Sequence, residues 1–218
     1  MNIIIKKVRL VAAPEPAFVG TTLTVEIAAD RLGYGIYAAD LAEGHENAVV
    51  DWGDGVTEQV AAFPARHTYV GQGTYSVRIS DDLATLRVCA VNPEEKDIDF
   101  NDYPPSLLGF TSNAQNLQKL GKYCFFLCEN MTEFDVTDCS AYFIGPCLFK
   151  NCYGLPPKVY LPNISTYEGN GVNAPFRNDT NILEIHFASK NEASIRAVPT
   201  FEKEPNLGAR NATVIFDL

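Results

Sequence analysis

Two aspartates and two glycines surround the only tryptophan of the chain in the segment AVVDWGDGV, residues 48–56. The carboxyl groups of Asp51 and Asp54 could act as acid and base in glycoside hydrolysis, or bind calcium if further oxygens were supplied. An Asp-Gly step between two strands is also typical of a hairpin, where glycine adopts a positive φ and aspartate accepts backbone N–H groups. We favour the structural turn over calcium binding and over catalysis. The residues assigned to this turn are Asp51, Trp52, Gly53, Asp54 and Gly55.

The sequence does not indicate any other catalytic set. Its three histidines are His45 in a polar loop, His67 behind the acidic turn, and His186 in a strand-like segment. None of them belongs to a recognisable Ser/His/Asp or Cys/His arrangement, and no G-x-x-x-x-G-K phosphate loop occurs. We expect His67 to contact Trp52 or Tyr69, and His186 to point outward from its strand. The sequence therefore predicts a protein that is not an enzyme and has no cofactor and no metal site.

Charge and hydropathy exclude two further classes of function. A formal net charge of −10 argues against nucleic-acid binding, since affinity for phosphates comes mainly from Lys and Arg. No run of about 18 apolar residues is present, so we expect no membrane insertion. The first residues, MNIIIKKVRLVAAPEP, are typical of a strand rather than of a signal peptide. Two explanations for an exported protein stay open: another route out of the cell, for instance inside a virus particle, or a missing leader.

Five of the six cysteines are concentrated in the second half of the chain. They permit three interpretations, namely buried apolar side chains, a disulfide framework or a metal site. The absence of a C-x-x-C pair disfavours metal, and we favour small buried side chains over disulfides. The cysteines are Cys89, Cys124, Cys128, Cys139, Cys147 and Cys152.

Alternating apolar and polar residues characterise the first 92 residues. In TTLTVEIA, Leu23, Val25 and Ile27 alternate with polar side chains, and TYSVRIS at 74–80 has the same pattern. Such alternation places one face of each strand on a core and the other in water. Turn signals separate the runs at short intervals. The pattern predicts an all-β sandwich over residues 1–92, followed by an acidic, proline-containing linker at 93–106.

The second half repeats itself. The segments LGKYCFFLCENM (120–131) and IGPCLFKNCYGL (144–155) share five apolar or glycine positions at one constant spacing, and APFRNDTNI (174–182) is a looser third copy. We place the extra residues of the third copy in YEGNGVN, 167–173. A repeat of about 24 residues, with one short strand per copy, predicts a short solenoid over 107–218. Its stacked core residues are Phe125, Cys128, Phe149, Cys152 and Phe176.

The end of the repeat array carries signals of its own. Ser189 and Glu192 fit a capping box ahead of the helical pattern ASIRAV, and ATVIFDL at 212–218 predicts a final strand. We expect this atypical unit to cover the last repeat.

Two family resemblances follow from these motifs. VDWGDG (50–55) followed by RHTYVGQGTYSVRI (66–79) resembles a PKD-type domain, which implies an immunoglobulin-like sandwich. The repeats resemble BspA-like leucine-rich repeats, whose units read roughly I-G-x-x-A-F-x-x-C-x-x-L. The copy at 144–155 fits best, and the third copy departs by having Asp179 where cysteine is usual. The resemblance implies a strand and a loop or short helix in each repeat. Such domains are common on bacterial surface proteins and phage-encoded proteins, where they are thought to bind or adhere.

The predicted function is non-enzymatic binding or adhesion, with the sandwich as spacer or docking module and the repeats as contact surface. The expected ligand is a surface protein or a glycan, and the expected location is a bacterial surface, the extracellular space or a phage virion. The alternatives are a structural component that assembles with other virion or surface proteins and, less favoured, a hydrolase that uses the acidic turn. The candidate binding residues are Glu133, Asp135, Tyr153, Lys158, Tyr160, Tyr167, Glu184 and His186.

Overall fold

The computed structural model describes residues 17–88 and 107–218, which are mostly β-strand with a single short α-helix. The strands of the first range are β1 (Gly20–Ile27), β2 (Gly33–Ile36), β3 (Ala38–Leu41), β4 (Ala48–Asp51), β5 (Thr57–Val60), β6 (Ala65–Thr68), β7 (Gly73–Ser80) and β8 (Leu83–Arg87). Those of the second range are β9 (Leu107–Ser112), β10 (Lys119–Leu120), β11 (Glu133–Asp135), β12 (Phe143–Ile144), β13 (Lys158–Leu161), β14 (Thr166–Tyr167), β15 (Glu184–Phe187) and β16 (Thr213–Phe216). The helix α1 covers Glu192–Arg196, and 3₁₀ turns cover Gly171–Asn173 and Ser189–Asn191.

Alternation in the sequence explains how the first strands bury one face. β1 and β7 pair antiparallel along their whole lengths. The apolar positions of β1, which are Leu23, Val25 and Ile27, are all at most 2 % exposed, and Val77 and Ile79 of β7 are fully buried. The period-two pattern predicted this burial, and the prediction is confirmed. It also accounts for the β-rich character of the fold.

The two large sheets contain strands from both sides of residue 88. In the six-stranded sheet the order is β11-β9-β1-β7-β4-β5, so β9 and β11 extend the sheet that β1 and β7 begin. In the five-stranded sheet the order is β14-β12-β10-β8-β3. A single apolar cluster runs through both parts. The predicted linker, residues 93–106, lies outside the described residues, and the division into two domains stays a prediction.

The repeated segments stack on one another in parallel. Leu120 of β10 aligns with Ile144 of β12, and Phe110 of β9 aligns with Phe134 of β11, so both pairs have the spacing of the sequence repeat. Phe125, Phe149 and Phe176 are fully buried. Their rings form the predicted ladder, with centroids 5.2 Å apart for Phe125 and Phe149 and 5.0 Å for Phe149 and Phe176.

The insertion in the third copy falls where the glycine-rich segment predicted it. The strands of the second and third copies keep nearly the repeat spacing, since Ile144 aligns with Tyr167. The turns that follow them are spaced more widely, because the Phe125 N–H donates to Leu148 O, whereas the Phe149 N–H donates to Pro175 O. The register therefore changes between residues 167 and 175, and the 3₁₀ turn Gly171–Asn173 lies in this interval.

Close stacking of the turns explains the glycine of the second copy. A Cβ atom on Gly145 would lie 2.5 Å from the backbone nitrogen of Lys122 in the preceding turn. Real Cβ atoms essentially never come that close to another heavy atom, so the stack at this point requires glycine.

The predicted capping box is wrong. Asn191, not Ser189, is the N-cap of α1, and no side chain caps the helix. The Ser189 hydroxyl instead donates to Phe216 O of the final strand. The Asn191 side chain donates to Pro162 O and Ile164 O of the preceding repeat. Both side chains are used to hold neighbouring segments together, which is why neither is available to the helix.

Candidate binding face

The acidic turn between β4 and β5 has the structure of a hairpin turn. Asp51 accepts the Gly53 N–H at 2.9 Å, and Asp54 accepts the Val56 N–H at 3.1 Å. Gly53 and Gly55 have φ of +81° and +96°, a backbone region that suits glycine. The predicted local roles of these residues agree with this geometry. Each aspartate uses one carboxylate oxygen to fix the backbone of the turn.

Aromatic residues pack together beside the turn. Trp52 is fully buried and stacks on His67, with ring centroids 5.1 Å apart. His67 also meets the edge of Tyr69, so the expected contact is confirmed for both rings. Its Nε2 lies 2.8 Å from Asp54 Oδ2. This hydrogen bond, which outweighs partial desolvation, holds the pKa of Asp54 below its usual value.

Four of the eight candidate binding residues come together on one face of the sheet β13-β15-β16. Lys158 aligns with Glu184, and Tyr160 aligns with His186, because β13 and β15 are parallel and in register. The Lys158 ammonium lies 2.8 Å from Glu184 Oε2, and His186 Nε2 lies 2.8 Å from the same oxygen. The Tyr160 ring stacks on His186 at 4.8 Å.

A fifth member, Asp217, was not among the predicted binding residues. Its Oδ1 lies 2.8 Å from His186 Nδ1, because β16 pairs in parallel with β15 and its end continues past Phe187. A sequence signal existed, since the strand ATVIFDL was predicted, but the register that places Asp217 beside His186 was not. We call Lys158, Tyr160, Glu184, His186 and Asp217 the strand face.

The charges of the strand face stabilise one another. The hydrogen bond from Lys158, followed by that from His186, holds the pKa of Glu184 below its usual value. The same Glu184 contact raises the pKa of Lys158. Burial disfavours the charged form of His186, but its hydrogen bonds to Asp217 and Glu184 outweigh this effect and raise its pKa. The strand face therefore presents a linked set of two carboxylates, an ammonium and an imidazole.

His186 is less exposed than predicted. Its side chain is on the face opposite the buried Ile185, as the alternation indicated, but it is only 7 % exposed. Tyr160, Glu184 and Asp217 cover the ring from three directions. The exposed groups are the Tyr160 ring, the Lys158 side chain and the Asp217 carboxylate, so a ligand would contact these first. They can stack on an apolar surface, donate to an oxygen and accept from a hydroxyl or amide.

The other four candidates lie elsewhere. Glu133 and Asp135 are on β11, in the six-stranded sheet, and Asp135 accepts the Thr137 N–H at 2.8 Å. Tyr153 is an exposed loop residue. The prediction for Tyr167 as a surface residue is wrong, since its side chain is only 3 % exposed and burial raises its pKa. Tyr167 belongs to β14, and the alternation of such a short strand does not show which face is buried.

The cysteines of the described residues are buried. Cys124, Cys128, Cys139, Cys147 and Cys152 are each at most 1 % exposed, in agreement with the interpretation as small apolar side chains. Burial also raises the pKa of the Cys139 thiol. Cys89 lies outside the described residues.

Asp179 takes the cysteine position of the third copy and is fully buried. Its Oδ1 accepts the Cys152 N–H at 2.7 Å, whereas its Oδ2 is hidden from solvent with no hydrogen-bond partner. Burial raises its pKa to about 8, and the bond from Cys152 only partly offsets this rise. This raised pKa favours the neutral form of the carboxyl group at pH 7.

Within residues 17–88 and 107–218, no group of three or more His, Cys, Asp or Glu side chains is arranged to hold a metal ion. No helix in these ranges is long and apolar enough to cross a membrane. No family model, curated protein or solved structure matches the chain, so what it does is inferred from its own residues.

Proposed function

We propose that the chain is a non-enzymatic binding protein built from a PKD-like, immunoglobulin-like sandwich and a short BspA-like leucine-rich-repeat array. Parallel pairing at a constant spacing and the phenylalanine ladder support the repeat assignment. The antiparallel pairing of β1, β7 and β4 and the buried tryptophan of the acidic turn support the sandwich assignment.

The strand face is the proposed contact surface. The observation that carries this proposal is the convergence of Lys158, Tyr160, Glu184 and His186 in one hydrogen-bonded network. The network keeps the exposed Tyr160 ring and the exposed charges in fixed positions, which lowers the entropy lost when a ligand binds. Preorganised polar groups around one aromatic ring suit a glycan or a protein loop.

Catalysis is not proposed for the acidic turn. Asp54 is hydrogen bonded both to the Val56 N–H and to His67, and Asp51 is bonded to Gly53 N–H. These contacts explain the two carboxylates as parts of the turn. A bacterial surface or a phage virion is the proposed location, on the strength of the family resemblance alone.

A binding screen tests the proposal. The intact chain would be applied to a glycan array and to a panel of bacterial and host surface proteins. We expect at least one probe with Kd below about 1 mM, and a loss of binding of about tenfold or more in Tyr160→Ala, as for a central aromatic contact.

Tyr142→Ala is the matched control, since Tyr142 is 39 % exposed and Tyr160 is 40 % exposed, and Tyr142 lies outside the strand face. Equal losses in the two variants would refute the assignment of the surface. A screen without any binding probe in that affinity range would refute the binding function.

A structural assembly component is the second candidate, favoured by β16. This strand is at the edge of its sheet, and Val214, Ile215 and Phe216 are only partly buried. An edge strand with partly exposed apolar side chains can pair with another chain. Sedimentation velocity over a wide concentration range distinguishes the candidates, because assembly requires mass to increase with concentration and a monomer at every concentration excludes self-assembly.

A further inference from the structure

A small cavity opens on the outward face of the six-stranded sheet, where β1, β9 and β11 are neighbours. Thr22 forms a cross-strand pair with Thr111, and Thr111 aligns with Asp135. Because Leu23 and Phe110 are fully buried, strand alternation places the two threonines on the face opposite the core. All three polar side chains line a cavity of about 190 Å³. This volume is smaller than the roughly 300–1,000 Å³ of pockets for drug-sized ligands, so the cavity suits a ligand of about one sugar ring.

An aromatic ring forms one wall of the cavity. Phe18 lines it and is 39 % exposed. The Asn113 side chain accepts the Gly20 N–H at 2.8 Å and donates to Phe18 O at 2.9 Å, which ties this segment to the loop after β9. A Cβ atom on Gly20 would lie 2.7 Å from the Phe18 ring, so the ring packs directly against the glycine backbone. The cavity therefore has a flat apolar wall in a fixed position.

Two carboxylates and two hydroxyl groups of the lining are available to a ligand. Asp135 Oδ1 accepts the N–H and the hydroxyl of Thr137, at 2.8 and 2.7 Å, which orients the side chain. Within residues 17–88 and 107–218, no hydrogen bond or ion pair uses Asp135 Oδ2, the Asp138 carboxylate or the hydroxyls of Thr22 and Thr111. Asp138 also lines the cavity.

We propose that this cavity binds one neutral sugar residue. We call its five ligand-facing residues the polar pocket; they are Phe18, Thr22, Thr111, Asp135 and Asp138. A pyranose ring can place its apolar C–H face on the aromatic wall while its hydroxyls donate to the carboxylates, as charge-assisted hydrogen bonds. The threonine hydroxyls can donate to sugar oxygens and accept from sugar hydroxyls. The two carboxylates repel an anion, which excludes an acidic sugar.

A cation is the competing ligand, and two observations disfavour it. The Arg78 guanidinium lies 5.7 Å from the centroid of the Phe18 ring and would repel a second cation there. Calcium takes six to eight oxygen ligands, whereas Asp135 Oδ1 is already used by Thr137. No group of three or more His, Cys, Asp or Glu side chains among the described residues is arranged to hold a metal ion.

None of these residues belongs to the strand face. The polar pocket is formed by β1, β9 and β11 with the segments that adjoin them, whereas the strand face is formed by β13, β15 and the end of β16. The inference goes beyond the function proposed above and does not rest on it.

Ligand-observed NMR tests the polar pocket. The intact protein would be titrated with the methyl glycosides of glucose, galactose, mannose and N-acetylglucosamine, and separately with calcium chloride and putrescine. We expect at least one glycoside to bind with a Kd of about 1–10 mM, the range for a ligand of about a dozen heavy atoms. The double variant Thr111→Val/Asp138→Asn should bind that glycoside at least about tenfold more weakly, because it removes one hydroxyl and one carboxylate.

The matched control is Thr85→Val/Asp40→Asn. Thr85 is half-buried like Thr111, and Asp40 is exposed like Asp138, and the two control residues align across β8 and β3. Circular dichroism and thermal unfolding would verify that both variants are folded. Retained binding in the control supports the pocket, and an equal loss in both variants overturns it.

Three further outcomes would overturn the proposal. The first is that none of the four glycosides binds the wild type. The second is that calcium or putrescine binds and no glycoside does, which would make the pocket a cation site. The third is that Tyr160→Ala loses glycoside binding while Thr111→Val/Asp138→Asn retains it, which would assign the sugar to the strand face.

Discussion

Replacement of the buried Asp179 by asparagine should stabilise the protein at neutral pH and make its stability less dependent on pH. Asparagine keeps an oxygen that can accept the Cys152 N–H, as Asp179 Oδ1 does at 2.7 Å, and has nearly the same volume. It removes the ionisable group from a site where Oδ2 has no partner. The variant therefore changes titration while leaving the packing of the repeat stack largely as it is.

The expected magnitude follows from the raised pKa of Asp179, about 8 in the folded protein against 3.8 for an unperturbed aspartate. Between these values the folded chain holds a proton that the unfolded chain has lost, so unfolding becomes easier as pH rises. Each pH unit in this window lowers the free energy of unfolding by about 1.4 kcal/mol, which amounts to about 4 kcal/mol at pH 7. Below pH 3.8 the effect vanishes.

Urea denaturation at pH 5, 6 and 7 measures the effect. The difference in unfolding free energy between Asp179→Asn and the wild type should grow by about 3 kcal/mol from pH 5 to pH 7, in favour of asparagine. The difference between variants is the quantity of interest, because the titration of all other groups cancels. Asp138→Asn serves as control, since Asp138 is exposed, and its difference from the wild type should stay nearly constant.

A difference in unfolding free energy between Asp179→Asn and the wild type that did not change from pH 5 to pH 7 would refute the reasoning. It would mean that the folded protein accommodates the charged carboxylate, through a partner for Oδ2 or through access of water. A gap that grew as the pH fell would be a stronger contradiction, since the sign of the linkage would then be reversed.

Three further changes test the fold and the division of roles. Phe149→Ala should lower the free energy of unfolding by about 3–5 kcal/mol in chemical denaturation, because it removes the central ring of the phenylalanine ladder. Gly145→Ala should lower the thermal unfolding temperature, since its Cβ would lie 2.5 Å from the Lys122 nitrogen; an unchanged temperature would contradict the close stacking. Asp54→Ala should destabilise the acidic turn in the same assay and leave ligand binding at Tyr160 unchanged, and the reverse result would restore a functional role for the turn.

Local sequence patterns were sufficient to predict those elements whose structure depends on residues that are close together in the chain. The alternation of Leu23, Val25 and Ile27 predicted a half-buried strand, because side chains of a strand alternate between two faces whatever its partners are. The Asp54-Gly55 step predicted the turn for a similar reason. The constant spacing of the first two copies predicted that Phe125 and Phe149 would stack, since equivalent positions of successive repeats become neighbours.

Tertiary structure alone decided which strands continue which sheet. β8 pairs both with β3 and with β10 of the first repeat, and β9 joins β1. Such pairings connect residues that are distant in the sequence, so no local periodicity encodes them. The burial of Tyr167 and the use of Ser189 by the final strand have the same origin, because neighbours from other repeats determined both.

The candidate binding residues also depend in part on local sequence pattern and in part on tertiary structure. The sequence by itself determined that Lys158, Tyr160, Glu184 and His186 lie on outward positions of two strands. Only the parallel register placed the Tyr160 ring over His186 and brought Asp217 to Nδ1 of His186. The physical reason is that side-chain type and strand period are local properties, whereas hydrogen-bonded register is set by the stacking of whole repeats.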